Sequence, residues 1–210
     1  MRTTSIRSSH AFPGLVAMSV LVAGAAACTF DPVHENEVAA LGGSEGPYPA
    51  EGEYHRRGQP CLTCHGGKGP ASSEFLLGGT VFMGTCDDPT NKATCDRSPA
   101  GNTRVRIRSA SKGVKCFVTN AAGNFFVRKG TWDDFLFPYL VSIERDGKQR
   151  AMGSHSSRWG SCASCHKSDA SSDSSGQVSI LSDNSGIPAD AKAVWPLPAT
   201  YKQEVSCPTE

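Results

Sequence analysis

Two short stretches carry the residue types that do chemistry: CLTCH at residues 61–65 and CASCH at 162–166. Each places two thiols three positions apart and an imidazole directly after the second. In an exported chain this is the spacing of a c-type haem attachment site. The thiols add to the two haem vinyl groups as thioethers, and the adjoining histidine is held over one face of the ring as an axial iron ligand. The sequence therefore assigns one covalent haem to Cys61, Cys64 and His65 and a second to Cys162, Cys165 and His166. Nine cysteines and six histidines in 210 residues would give about one such match per hundred chains by chance, so two matches are a strong signal. Competing readings fit less well. A zinc ribbon sets its CxxC pairs about 15–20 residues apart, whereas these lie about 100 apart. A thioredoxin-type motif needs a βαβ context, and structural disulfides need no histidine.

A six-coordinate haem needs a second axial ligand. His55 precedes Cys61 in HRRGQPC, and His155 precedes Cys162 in HSSRWGSC. The parallel placement makes both candidate distal ligands, with each serving its own haem or the two crossed over. Met152 is the alternative, and a His/Met haem would have a higher potential than a bis-His haem. Met83 reads as a core residue and His34 as solvated. Arg56, Arg57, Arg104, Arg106, Arg108 and Arg158 are candidates for haem propionates or a partner surface, although such arginines more often form a solvated strand face. Trp159 could stack on the second haem or pack against the body of the protein.

The N-terminus reads as a targeting segment. Arg2 and Arg7 precede an apolar run ending in small residues, which is the pattern of a signal peptide over residues 1–27. The run from Leu15 to Ala27 is short for a spanning helix, which needs about 20 residues. Cys28 after AGAAA resembles a lipobox cysteine, so Cys28 is the candidate lipidation site. Ala25 stands where that motif usually has a larger aliphatic residue. The balance of 21 basic and 20 acidic residues gives no footprint for nucleic acid. The expected location is the periplasm, outer membrane or cell surface.

The rest must position the two motifs. Residues 28–54 are acidic and rich in Gly and Pro, and read as a flexible tether. Haem-binding segments are expected over 55–76 and 153–170, on either side of a mainly β body over 77–152. NTRVRIRSA alternates, with Val105 and Ile107 on one face and Arg104, Arg106 and Arg108 on the other, as in a half-buried strand. GGTVFMG, VKCFVTN and GNFFVRK are further strands. PYLVSIERDGKQRAMG is a hairpin turning at Asp146-Gly147. Short strands at this spacing predict a β-sandwich. The tail 171–210 begins as a mobile Ser/Asp/Gly-rich stretch and ends in apolar residues that should pack back on the body.

GGTVF, TRVRI, VTNAAGNFFV and PYLVSI together resemble the carboxypeptidase-regulatory-like (transthyretin-like) sandwich over about residues 78–150. That resemblance implies a Greek-key β-sandwich and brings no peptidase activity. With the two motifs on either side, residues 55–170 resemble exported bacterial multihaem c-type cytochromes. That implies transfer of single electrons to and from other redox proteins or cytochromes, not bond-making catalysis. One alternative is a haem enzyme or sensor with an open axial position, acting on peroxide or a small gas. Another is a surface binding module on the sandwich. The extra cysteines Cys86, Cys95, Cys116 and Cys207 depart from the pattern and are disulfide candidates. Four cysteines allow three pairings; Cys86–Cys95 across a polar loop and Cys116–Cys207 at the tail are expected.

Overall fold

The computed structural model describes residues 31–42, 51–86, 96–167, 170–171, 174–181 and 203–208. The expected signal segment, Cys28, Cys95 and most of the tail lie outside these residues.

The protein is mainly β, with two antiparallel layers facing each other as a sandwich. The strands are β1 (Phe75–Thr80), β2 (Arg104–Ser109), β3 (Val114–Val118), β4 (Asn124–Arg128), β5 (Tyr139–Arg145), β6 (Lys148–Ala151) and β9 (Glu204–Val205). The larger layer has the order β6-β5-β2-β3-β9, and the smaller is β1 paired with β4. β7 (Ala170–Ser171) and β8 (Ser174–Ser175) pair antiparallel as a separate short ribbon.

The alternation read in the sequence decides which face is inside. Val105 and Ile107 are fully buried, while Arg104 and Arg106 are only half-buried and Arg108 is exposed. Arg104 pairs across the sheet with Glu144 at 3.0 Å. In the small layer Leu77, Phe125 and Val127 point into the same core, and Phe75 and Phe126 stack on the opposite face. Asp146 and Gly147 both have positive φ, 51° and 73°. That is the backbone a two-residue turn of this hand requires, and it ties β5 to β6 as expected.

Two segments are more ordered than the sequence reading allowed. The expected tether contains helix α1 (Pro32–Ala40), with Asp31 as N-cap accepting from the His34 amide and Pro32 in the first turn. None of its residues is fully buried. Its C-terminal end is tied to the body by Arg56, which donates to the Gly42 carbonyl, and by Gln59, which donates to that of Leu41. In the tail, Val178–Leu181 runs beside Phe82 and Met83: the Phe82 amide donates to Val178 O and the Ile180 amide to Phe82 O. Ile180 and Leu181 are core residues, so this part of the expected mobile stretch completes the sandwich. The reason is local: QVSIL is apolar enough to be worth burying inside an otherwise polar run. Met83 is in the core as expected.

Cys116 and Cys207 form a disulfide that fastens β9 beside β3, closing a separation of 91 residues. Cys86 is also disulfide-bonded, and its expected partner Cys95 lies outside the described residues. Loop-closure entropy makes the long bridge the more valuable one. Replacing Cys116 and Cys207 together by alanine should cost about 2–5 kcal/mol, read as a lower denaturant midpoint in equilibrium unfolding.

Candidate functional site

The first motif is helix α2, Cys61–His65, a single turn entered through Pro60. It lies on the outer face of the β1–β4 layer. The His65 ring stacks on Phe75 at 4.0 Å, and Phe75 stacks on Phe126 at 4.5 Å. This pile fixes the plane of the imidazole. Its Nδ1 meets the Ser73 carbonyl at 2.7 Å, which leaves Nε2 as the nitrogen available to a metal. Burial lowers the His65 pKa, with the charges of His55 and Arg128 acting the same way against the opposing effect of the Ser73 bond. The ring is therefore held neutral, the form that binds iron.

His55 faces His65 with ring centroids 5.8 Å apart and planes 46° apart. Its Nδ1 is bonded to the Gly52 carbonyl, so its Nε2 is the open nitrogen as well. The NAAGN turn holds this segment in place. Asn124 Nδ2 donates to the His55 carbonyl at 2.9 Å, and Asn120 Nδ2 donates to that of Glu53. Tyr54 packs on Ala122 of the same turn. The pocket between the two histidines is only about 40 Å³. A planar group bound there would stand largely in solvent along the outer face.

The second motif is a 3₁₀ turn, Cys162–Ser164, followed by Cys165 and His166. His166 Nδ1 meets the Gly176 carbonyl at 3.0 Å, so here too Nε2 is left open. His166 lines a cleft of about 460 Å³ together with Met152, His155, Trp159, Cys162 and Cys165. That volume is in the ordinary range of cofactor pockets, roughly 300–1,000 Å³. Among the described residues two buried polar atoms on its wall have no hydrogen-bond partner, Ser161 Oγ and Gln177 Oε1. Orphaned polar atoms beside a cleft are what a site leaves when the group that completes it is absent. Trp159 is half exposed at the cleft, with the Arg158 guanidinium over its ring. The residues at both sites fit a covalently held haem: paired thiols, an oriented imidazole, and space or solvent beside it.

The fold brings the motifs together although about 100 residues separate them in sequence. The Gly78 amide donates to the Gly160 carbonyl at 2.9 Å, and Gly78 bridges to Ser161. Both first cysteines sit against β1. Burial pushes the Cys61 thiol up to about 11, and burial reinforced by Cys61 pushes the Cys162 thiol up to about 12.

His55 meets His65, so a crossed pairing of the distal candidates is not what the geometry favours. His155 and Met152 share the cleft with His166, yet among the described residues no ring faces His166 as His55 faces His65. His34, expected to be solvated, has a side chain only 16% exposed, and its Nε2 is buried without a partner. Arg57 donates to the Arg97 carbonyl at 3.0 Å. Sequence reading missed Phe75, Asn120 and Asn124 as positioning residues. The Asn pair was visible only as a turn. Among the described residues no three His, Cys, Asp or Glu side chains gather to hold a bare metal ion, and no helix is long and apolar enough to cross a membrane.

The packing of the thiols can be read chemically in the haem-free protein. Raised pKa values keep Cys61 and Cys162 protonated at neutral pH, and thiolate appears only as the pH climbs toward 11–12. Exposed Cys165 should be alkylated by iodoacetamide first, and Cys61 and Cys162 at least about tenfold more slowly near pH 8, as followed by peptide mass spectrometry. Equal labelling of all four would contradict the packing.

No protein-family model matches this chain, and no curated protein or solved structure matches it either.

Proposed function

We propose that this chain is an exported dihaem c-type cytochrome that passes single electrons between redox partners outside the cytoplasm. One observation carries the reading. At both CxxCH motifs the histidine is bonded through Nδ1 to a backbone carbonyl, that of Ser73 for His65 and of Gly176 for His166. Two separate loops thus give the same result, an imidazole turned so that Nε2 is free beside a pair of thiols. Neither a disulfide pair nor a redox CxxC needs that arrangement.

Cys61 and Cys64 would hold one haem and Cys162 and Cys165 the other, with His65 and His166 as axial ligands. When bound, haem supplies the one-electron chemistry. Phe75 fixes the His65 plane, and the Ser73 bond makes its Nε2 the more basic nitrogen. His55 is the distal ligand at the first site, held by Gly52 and Asn124. Lipidation at Cys28 would place the protein at a membrane surface. The resemblance to exported multihaem cytochromes with a carboxypeptidase-regulatory-like domain supports this reading, as does the sandwich fold.

The sites differ, and that favours one second reading. His55 closes the first site, while the second opens on a cleft with no imidazole opposite His166 among the described residues. An open axial position there would suit a small exogenous ligand, such as a diatomic gas or peroxide.

Maturation with the native signal in a host that attaches haem c should yield two haems per chain by pyridine haemochrome, both resisting acid–acetone extraction. Replacing Cys61 and Cys64 by alanine should leave one. A chain without covalent haem, in a host that matures a control cytochrome, defeats the reading. Carbon monoxide should leave the ferrous spectrum unchanged if both haems are six-coordinate. Titration of one haem per chain would establish the open position.

A further inference from the structure

Strand β1 contains two adjacent glycines, Gly78 and Gly79, in a layer that otherwise presents large side chains. A glycine inside a strand often marks the close approach of another group. Here the approaching groups are the two motifs. A Cβ added at Gly78 would lie 3.0 Å from Cys61 Cβ and 3.1 Å from its Sγ. A Cβ added at Gly79 would lie 2.7 Å from Cys162 Sγ and 2.8 Å from its Cβ, with Phe125 Cε1 at 3.1 Å. Neighbouring strand residues point to opposite faces. Gly79 pairs with Phe125, which faces the core, and Gly78 pairs with Phe126, which stacks with Phe75 on the outside. Cys61 therefore sits on the outer face and Cys162 on the inner face of the same strand. Gly160, just before the second motif, is a third close approach: a Cβ added there would run into the Leu76 carbonyl of β1 and lie 2.7 Å from Leu62 Cδ2 of the first motif.

We propose that Gly78 and Gly79 are a positioning pair that seats the two haem attachment sites on opposite faces of one strand, with only the backbone of β1 between the first cysteine of each motif. The identity of what is attached rests on the haem reading above; the packing of the thiols does not. The pair fixes the separation of the two sites. A side chain at 78 crowds the first motif and not the second; one at 79 crowds the second motif, with the edge of Phe125, and not the first. Such site selectivity is a property that general destabilisation of the sandwich would not show.

The test has two parts. In the haem-free protein, double-mutant cycles measure which cysteine each glycine accommodates. Gly79→Ala should lower the denaturant midpoint. Cys162→Gly, which removes both contacting atoms, should recover most of that loss, and Cys61→Gly should recover none. Gly78→Ala should be relieved by Cys61→Gly alone. In the matured protein, each alanine variant should move one of the two haem midpoint potentials, and the two variants should move different ones. Ile107→Val, a core change away from both motifs, should lower stability and move neither. Additive losses in the cycles, or potentials left at their parental values in both variants, overturn the proposal. A coupled cycle in a protein that carries no covalent haem overturns the seating of haem and leaves the packing of the thiols standing.

Discussion

The small β1–β4 layer depends on being covered from both sides. Two antiparallel strands alone are marginal in water and need a packed partner to persist. The inner face is covered by the five-stranded sheet, through Leu77, Phe125 and Val127. The outer face is covered by the segment that carries the first motif, with Cys61 against Gly78 and His65 on the Phe75–Phe126 stack. Stability and site construction are thus the same contacts. The residues that orient His65 are also the residues that keep water off the back of the sandwich.

This arrangement gives the two motifs unequal surroundings. At the first, His55 opposes His65, and backbone carbonyls hold both rings. The second opens on a cleft bounded by β5, β6 and the Val178–Ser179 segment. Tyr139 belongs to both core and cleft. Its hydroxyl donates to the Trp159 carbonyl at 2.7 Å, and burial raises its pKa, so it stays a neutral donor that anchors the loop before the second motif. On the proposed reading, two cofactors of one chemical type would sit in environments of different polarity and ligation, the levers by which a protein separates haem potentials.

Much of the sandwich was legible because strand alternation is a local signal. Arg104 to Ser109 shows it with no ambiguity of face, and Asp146-Gly147 names its own turn. The Cys116–Cys207 bridge followed from pairing the tail cysteine with one on a strand. What was not legible depends on contacts between distant parts. The α1 signals were present in the sequence, with Asp31 as cap, Pro32 in the first turn and Glu35 after it, yet Gly- and Pro-rich flanks outweighed them. QVSIL was hidden by the serines and aspartates around it, and its place beside Phe82 and Met83 is a contact between distant parts of the chain. Both CxxCH motifs were plain as motifs. Their meeting across Gly78-Gly79 was not, because nothing local in GGTVF says which groups need the space.

The polar orphans in the second cleft weigh on what that space is for. Leaving a buried polar atom without a partner costs about 1–3 kcal/mol, and Ser161 Oγ and Gln177 Oε1 both stand in that state. Gln177 cannot simply turn away, since its Nε2 is spent on the carbonyls of Gly84 and Asp96. That bond pair fixes the amide and holds the Gln177–Leu181 segment against the sandwich. The same geometry that inserts Ile180 and Leu181 into the core therefore fixes Gln177 on the wall of the second cleft. The sandwich and the site are two consequences of where one short apolar stretch comes to rest.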